Sequence, residues 1–439
     1  MKRKLNLILN LVLLVAICLV IFSGCTTEKV DPWNADKELN WVGKIVRAMY
    51  SWIGSYGWTV VVFTVFLKLV MLPLDFWQRY SARKMSVQMQ ILQPYVAEID
   101  KHYGPNSQKG AEEKQKLFKK HGYSMTSSCL PMIVTMVVFF VMFGGLRSYS
   151  TYSSVTTFNT LVQTYYQTYA EKFVELPTTA TTAQQTAYDI FVESYGTTTI
   201  ADNFSKDERS KIAQALKAVQ DKKDALLASA DQASLGQELE TLLASYQADV
   251  KLAVQTKYSQ VEEGWLWIQN VAQPDTWETI FPQYDSGSNS FTSLVDMSDY
   301  GGTDNGKALY NTIRNAVLET GDRGENGKWN GLMILPILSV ALSFLSMFVS
   351  QAVERKGKKH KLTSTEQQQQ QSNKITMILM PLMMAYFGFI YTGAFSIYMV
   401  INYLISILST VALKAPVDKM VQKNLAKTQV DSGKASYMR

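Results

Sequence analysis

The run from Gly57 to Phe76, GWTVVVFTVFLKLVMLPLDF, constrains this chain more than any other stretch. It is almost wholly apolar and about as long as a helix must be to cross a bilayer. Its single basic residue, Lys68, stands 11 positions after Gly57. At ~1.5 Å rise per residue that depth is about 17 Å, near the middle of a hydrocarbon core about 30 Å thick. A charge there costs at least ~2.5 kcal/mol on insertion scales, and from the midplane the lysine stem is too short to reach water. A buried acid or a water-filled cavity has to receive it. Asp75, at the inner end of the run, is the nearest acid, and no Asp, Glu or His lies inside any other apolar run. The sequence therefore favours a hydrated cavity.

The remaining runs extend this to an all-α integral membrane protein with a five-helix membrane core. Residues 57–76, 129–146, 331–351, 375–391 and 394–413 are the expected spans. Hydrophobic residues make up 47% of the 439, and they are segregated into these runs. Residues 1–24 read as a lipoprotein signal peptide. Lys2, Arg3 and Lys4 precede an apolar Leu5–Phe22, and Phe22-Ser23-Gly24-Cys25 is like a bacterial lipobox. Cleavage and palmitate-type acylation at Cys25 are expected, with an uncleaved anchor helix as the alternative. Residues 25–56 form an outer linker and an interfacial helix bearing Leu39, Val42, Ile45, Val46, Met49, Trp52 and Ile53 at helical spacing.

Residues 77–128 read as a cytoplasmic helical hairpin. Met85, Met89, Leu92, Val96 and Ile99 stripe its first arm, and Gly104-Pro105-Asn106 forms its turn. Pro73 is expected to bend or loosen the end of the first span. Residues 147–330 form a large extracytoplasmic insertion, helical over Lys206–Glu262 and then a Gly/Ser/Asn/Asp-rich loop over Ser286–Gly327. A Gln-rich cytoplasmic loop (352–374) and a basic cytoplasmic tail (414–439) complete the chain. Charge bias agrees with this topology. The inner segments 75–128, 352–374 and 414–439 hold 9, 6 and 6 basic residues against 5, 2 and 2 acids, whereas 148–329 holds 13 basic and 24 acidic. The N-terminus is then outside and the C-terminus inside. A net charge of +6 is too small to imply nucleic acid.

Polar residues on the spans are the candidate site. Thr64 lies one turn before Lys68; Tyr398, Asn402 and Ser406 repeat at i+4; Ser339, Ser343, Ser346 and Ser350 repeat at helical spacing; Thr135 falls in the second span. A hydrophilic groove is one reading. For the serine stripe a close-packing seam is the commoner one. The chemistry of an intramembrane protease is missing: His102, His121 and His360 all fall outside the spans, and no span holds paired aspartates or HExxH. No catalytic residue, metal or cofactor is called for. A transporter or channel is the alternative, although no internal repeat is visible.

An ordered set of motifs resembles the YidC-type membrane protein insertases. It comprises Leu69 to Leu74 (LxxxPL), Lys84-Met85, Leu92-Gln93-Pro94, Glu98-Ile99, Lys119-Lys120-His121-Gly122 and Cys129-Leu130-Pro131 with Phe139-Phe140. Further on come Trp267-Ile268, Gln273-Pro274-Asp275, Ile334-Leu335-Pro336-Ile337-Leu338, Met380-Pro381, Gly388-Phe389, Gly393 and Ile397-Tyr398. The resemblance implies a groove inside the membrane, open to cytoplasm and lipid. It implies nascent membrane proteins as substrates, with the ribosome and the Sec translocon as possible partners of a monomer. The chain departs from the family at Lys68, where arginine is usual, at Thr135 for glutamine, at Val137 for proline, and near Met399 for tryptophan.

Overall fold

The computed structural model describes residues 29–32, 35–104, 107–120, 126–197, 199–200, 205–285, 290–296, 302–319, 329–355 and 386–436. The described residues are helical, with only isolated β-bridges between extended segments. The helices are α1 (Trp41–Ile53), α2 (Tyr56–Tyr103), α3 (Gln108–Lys120), α4 (Thr126–Val174), α5 (Thr182–Tyr195), α6 (Lys206–Leu227), α7 (Ala233–Val261), α8 (Phe291–Leu294), α9 (Gly302–Leu318), α10 (Ile334–Arg355) and α11 (Gly393–Ser436). They divide into two compact units. One holds residues 45–146 and 333–439, the other 27–44 and 147–332.

The first unit is built inside out. Along α2, Trp58, Val62, Val65, Phe66, Leu69 and Val70 are exposed, while Thr59 and Thr64 are fully buried. The exposed set repeats at three and four residues, one face of a helix. Ile337, Leu345 and Phe348 on α10, and Leu404, Leu408 and Val411 on α11, likewise point outward, whereas Ser339, Ser396, Ser409 and Thr410 are buried. Water would reverse that arrangement; a hydrocarbon solvent favours it. Among the described residues, three helical stretches are long and apolar enough to cross a membrane: Tyr56–Lys84, Ile334–Val353 and Gly393–Asn424. The expected span at 129–146 falls within α4, and most of that expected at 375–391 lies outside the described residues.

α2 passes through both Pro73 and Pro94 and does not end until Gly104. The end of the first run, where Pro73 is expected to bend or loosen the helix, lies inside this one continuous helix. A proline removes one backbone donor, and packing of α2 on α11 and α3 holds the helix across it. Gly104, at φ 83°, turns the chain toward α3, and its N–H bonds to Asp100 O at 3.0 Å. There Leu92 and Val96 bury against Phe118, and Lys114 pairs with Asp100.

The second unit has a conventional water-excluding core. Phe158, Phe291 and Tyr310 meet with ring centroids 4.6 to 5.1 Å apart. Phe173 stacks on Phe191 at 4.9 Å, and Ile212, Val219, Leu239, Val250 and Val254 close the cluster. The stretch Ser286–Gly327, expected to be loop, contains α9. Its polar composition hides Tyr310, Ile313 and Val317, fully buried one turn apart on one face. That stripe supplies the apolar burial which outweighs the weak intrinsic helicity of the segment.

Two helices in this unit start with reciprocal capping boxes, Thr181 with Gln184 and Ser205 with Glu208. Replacing either cap, by Ser205→Ala or Thr181→Ala, is expected to cost about 1 kcal/mol in thermal unfolding. The two boxes should differ in acid. Glu208 accepts the Ser205 N–H, which holds its carboxyl below the usual range. Its contribution is therefore present above the unfolded carboxyl pKa of about 4.3 and is lost as pH falls through the lower folded value. Gln184 does not titrate, so the Thr181→Ala loss should be the same at pH 3.5 and pH 7. The Ser205→Ala loss should shrink in acid. Equal pH dependence of the two would show that the Ser205 hydroxyl does not act on the Glu208 carboxylate.

Candidate functional site

Among the described residues of the inside-out unit, a polar line runs between α2 and α11. Lys68 shares the inner face of α2 with Thr64, which is fully buried and donates its hydroxyl to Val60 O at 2.6 Å. Lys68 Nζ donates to Ser406 Oγ on α11 at 3.1 Å. It also lies 4.0 Å from Asp75 Oδ2, and both side chains are mostly buried, with 17% and 15% exposed. Asp75, the nearest acid along the sequence, is two turns on along the same helix face, within reach of the long lysine stem. The pair is loose. One hydrogen bond and a 4.0 Å approach leave part of the three-donor capacity of an ammonium unused among the described residues.

The line continues toward the C-terminal end of α2. Arg79 donates to Ser409 Oγ at 3.1 Å and to Ser406 O at 3.4 Å. Arg83 pairs with Asp418 at 2.7 Å, and Asn424 donates to Tyr80 Oη at 2.8 Å. Lys68, Asp75, Arg79 and Arg83 are spaced seven, four and four apart, which puts them on one helical face. Along the sequence Arg79 and Arg83 are two of the nine basic residues of the inner segment 75–128. Their spacing from Lys68 was the available signal that they belong to the same seam. The arrangement is a run of cations set against hydroxyls, carbonyls and two carboxylates, within a unit whose outside is hydrocarbon-like.

The other candidates separate. Ser406 is in direct contact with Lys68. Tyr398 is buried beside Phe395, with ring centroids 6.3 Å apart, and Asn402 is half-buried. The hydroxyls of Ser339 and Ser343 return to carbonyls of their own helix, at Pro336 (2.8 Å) and Val340 (2.7 Å). A Cβ on Gly388 would sit 3.7 Å from Ser339 Oγ and from Pro336, an ordinary contact distance. Ser339 and Ser343 are buried, and Ser346 is half-buried on the same helix. The main chain of Thr135 is in α4, with its side chain outside the described residues, as is all of Cys25. An aromatic cluster of Phe143, Phe387, Tyr391 and Phe395 closes the other end of the unit, Phe143 meeting Tyr391 at 4.4 Å.

The chain matches the family model of the 60Kd inner membrane protein over residues 48–220 and 205–420. Curated relatives are each described as "Membrane protein insertase YidC". That of Caldanaerobacter subterraneus subsp. tengcongensis is 30% identical over 116 residues, 26% of this chain and 54% of the relative. That of Oceanobacillus iheyensis is 30% identical over 159 residues, 33% of this chain and 59% of the relative. That of Chlamydia caviae is 35% identical over 95 residues, 22% of this chain and 12% of the relative. The matched stretch thus spans little more than half of the first two relatives and far less of the third. No solved structure matches the chain.

Proposed function

Since the chain belongs to the 60Kd inner membrane protein family, we propose that it inserts newly made proteins into the bacterial cytoplasmic membrane. The observation that carries this is the Lys68–Ser406–Arg79 seam inside an otherwise hydrocarbon-facing unit. A polar flank crossing a bilayer faces a barrier set by the dry thickness it must cross. A polar seam reaching part-way shortens that thickness. The ammonium of Lys68 attracts acidic residues in the flank, and an incoming carboxylate competes with the loosely held Asp75. The apolar segment then leaves sideways into lipid, driven by burial at ~25 cal/mol per Å². No covalent bond is made or broken. Complementation of a bacterial strain depleted of its own insertase tests the reading; a protein that reaches the membrane yet fails to restore growth or insertion overturns it.

The finer topology is part of the same proposal: five spans, an outer N-terminus, a cytoplasmic C-terminus, and a chain anchored through an acylated Cys25. Metabolic labelling with a palmitate analogue should tag the protein, and Cys25→Ala should abolish the tag. Labelling that survives the substitution removes the lipid anchor and leaves the insertase reading standing.

A further inference from the structure

The second unit holds a rigid knot that displays large apolar side chains. Asn330 is fully buried and is its hub. Its Nδ2 donates to Asn270 O at 2.9 Å and to Pro274 O at 2.7 Å, and its Oδ1 accepts from Asn270 N at 2.7 Å. Its main chain bonds to Glu278 O and receives Gln269 N. Asp275, also fully buried, accepts from Trp267 Nε1 at 3.3 Å and from Leu332 N at 2.9 Å. From this hub the chain projects Leu266 (66% exposed), Trp277 (58%), Trp329 (38%) and Leu332 (52%). The rings of Trp277 and Trp329 lie 6.0 Å apart. Leu266 is held at φ 52°, a left-handed conformation that a branched side chain rarely adopts. A water-facing loop gains nothing by holding a leucine in a strained conformation to expose it.

We propose that Leu266, Trp277, Trp329 and Leu332 form a ledge seated in the lipid headgroup and upper acyl region. The occupant follows from the chain itself. Leu332 precedes by two residues the stretch Ile334–Val353, 20 residues long, whose helical length of about 30 Å just matches a hydrocarbon core. Ile334 therefore lies at the hydrocarbon boundary. At no more than ~3.6 Å per residue, Leu332 is within about 7 Å of that boundary, and Trp329 within about 18 Å. Tryptophan with its apolar ring and N–H is suited to that zone. This rests on the reading of α10 as a membrane span.

The test uses the full chain reconstituted in phosphatidylcholine–phosphatidylglycerol vesicles, with a genetically encoded fluorescent amino acid replacing Leu266 or Trp277. Two further probes calibrate it: one at Leu345, exposed on α10, and one at Leu252, 63% exposed on α7. Brominated lipid should quench the probes at 266 and 277 at least half as strongly as that at 345, and leave 252 unchanged. Quenching at 345 with none at 266 and 277 overturns the ledge, whether those probes then report water or shielding by polypeptide. Absence of quenching at 345 as well would overturn the span reading and the ledge together.

Discussion

Lys68→Ala should lower insertion of substrates with acidic flanks by about tenfold, while leaving matched neutral-flank substrates within about twofold. At an effective dielectric constant of about 20, two unit charges about 4 Å apart attract by about 4 kcal/mol. If only about a third of that survives desolvation of the flank, the loss is still close to a factor of ten. Lys68→Arg keeps the charge and should keep most of the activity. Lys68→Glu should be worst for acidic flanks, because it adds a repulsive charge close to Asp75. The competing account is that Lys68 merely fastens α2 to α11 through Ser406. In that case Ser406→Ala should reproduce Lys68→Ala and both flank types should suffer alike. The seam reading expects Ser406→Ala to cost about one charge-assisted hydrogen bond, ~1.5–3 kcal/mol, with the acidic-to-neutral ratio unchanged. Membrane abundance and thermal stability measured beside the insertion assay separate the two. Loss of both substrate types in step with lower stability would remove the charge-attraction mechanism.

Gly331→Ala should be the most damaging small substitution in the second unit. A Cβ at this position would lie 1.9 Å from Asp275 Oδ1 and 3.0 Å from Asp275 Cα. The carboxylate cannot swing aside freely, since it is buried and holds Trp267 and Leu332 N. Overpacking of this kind costs about 3 kcal/mol. Asp275→Ala opens the space but strands the Leu332 N–H, at about 1–3 kcal/mol. The double variant should therefore be less destabilised than the sum of the two single losses, because removing the Asp275 carboxylate also removes the 1.9 Å clash. Thermal unfolding with hydrogen exchange over residues 264–282 and 329–332 gives the comparison. Strict additivity would mean that the glycine is not required by Asp275.

The Lys68 result would also fix which part of the seam acts and which part holds. Arg83 has a close carboxylate partner in Asp418 at 2.7 Å, and Arg79 is tied to two oxygens of α11. Lys68, with its single serine and more distant Asp75, is the cation whose partner is most easily exchanged. That ranking comes from distances across the seam and is invisible along the sequence.

What the sequence determined by itself is whatever transfer energy and local spacing decide. Long apolar runs must be helices that leave water, so 57–76, 331–351 and 394–413 could be read as spans from composition alone, and the apolar helices Tyr56–Lys84, Ile334–Val353 and Gly393–Asn424 overlap them. A lysine near the middle of such a run had to be a site, because its cost is paid wherever the helix ends up. The helix starts at Thr181 and Ser205 were equally written, each in four consecutive residues. Tertiary structure alone decided the partners. Ser406 is 338 residues from Lys68, and Asp418 is 335 from Arg83; nothing in a local window selects them, because their meeting depends on how α2 and α11 pack. The same holds for α9, whose polar composition reads as loop until the core formed by distant helices offers Tyr310, Ile313 and Val317 a place to be buried. It holds too for the knot around Asn330, whose hydrogen-bond partners come from a segment about 60 residues earlier. Free energies that depend on one residue and its medium are local and legible. Those that depend on which surfaces meet appear only when the chain has folded.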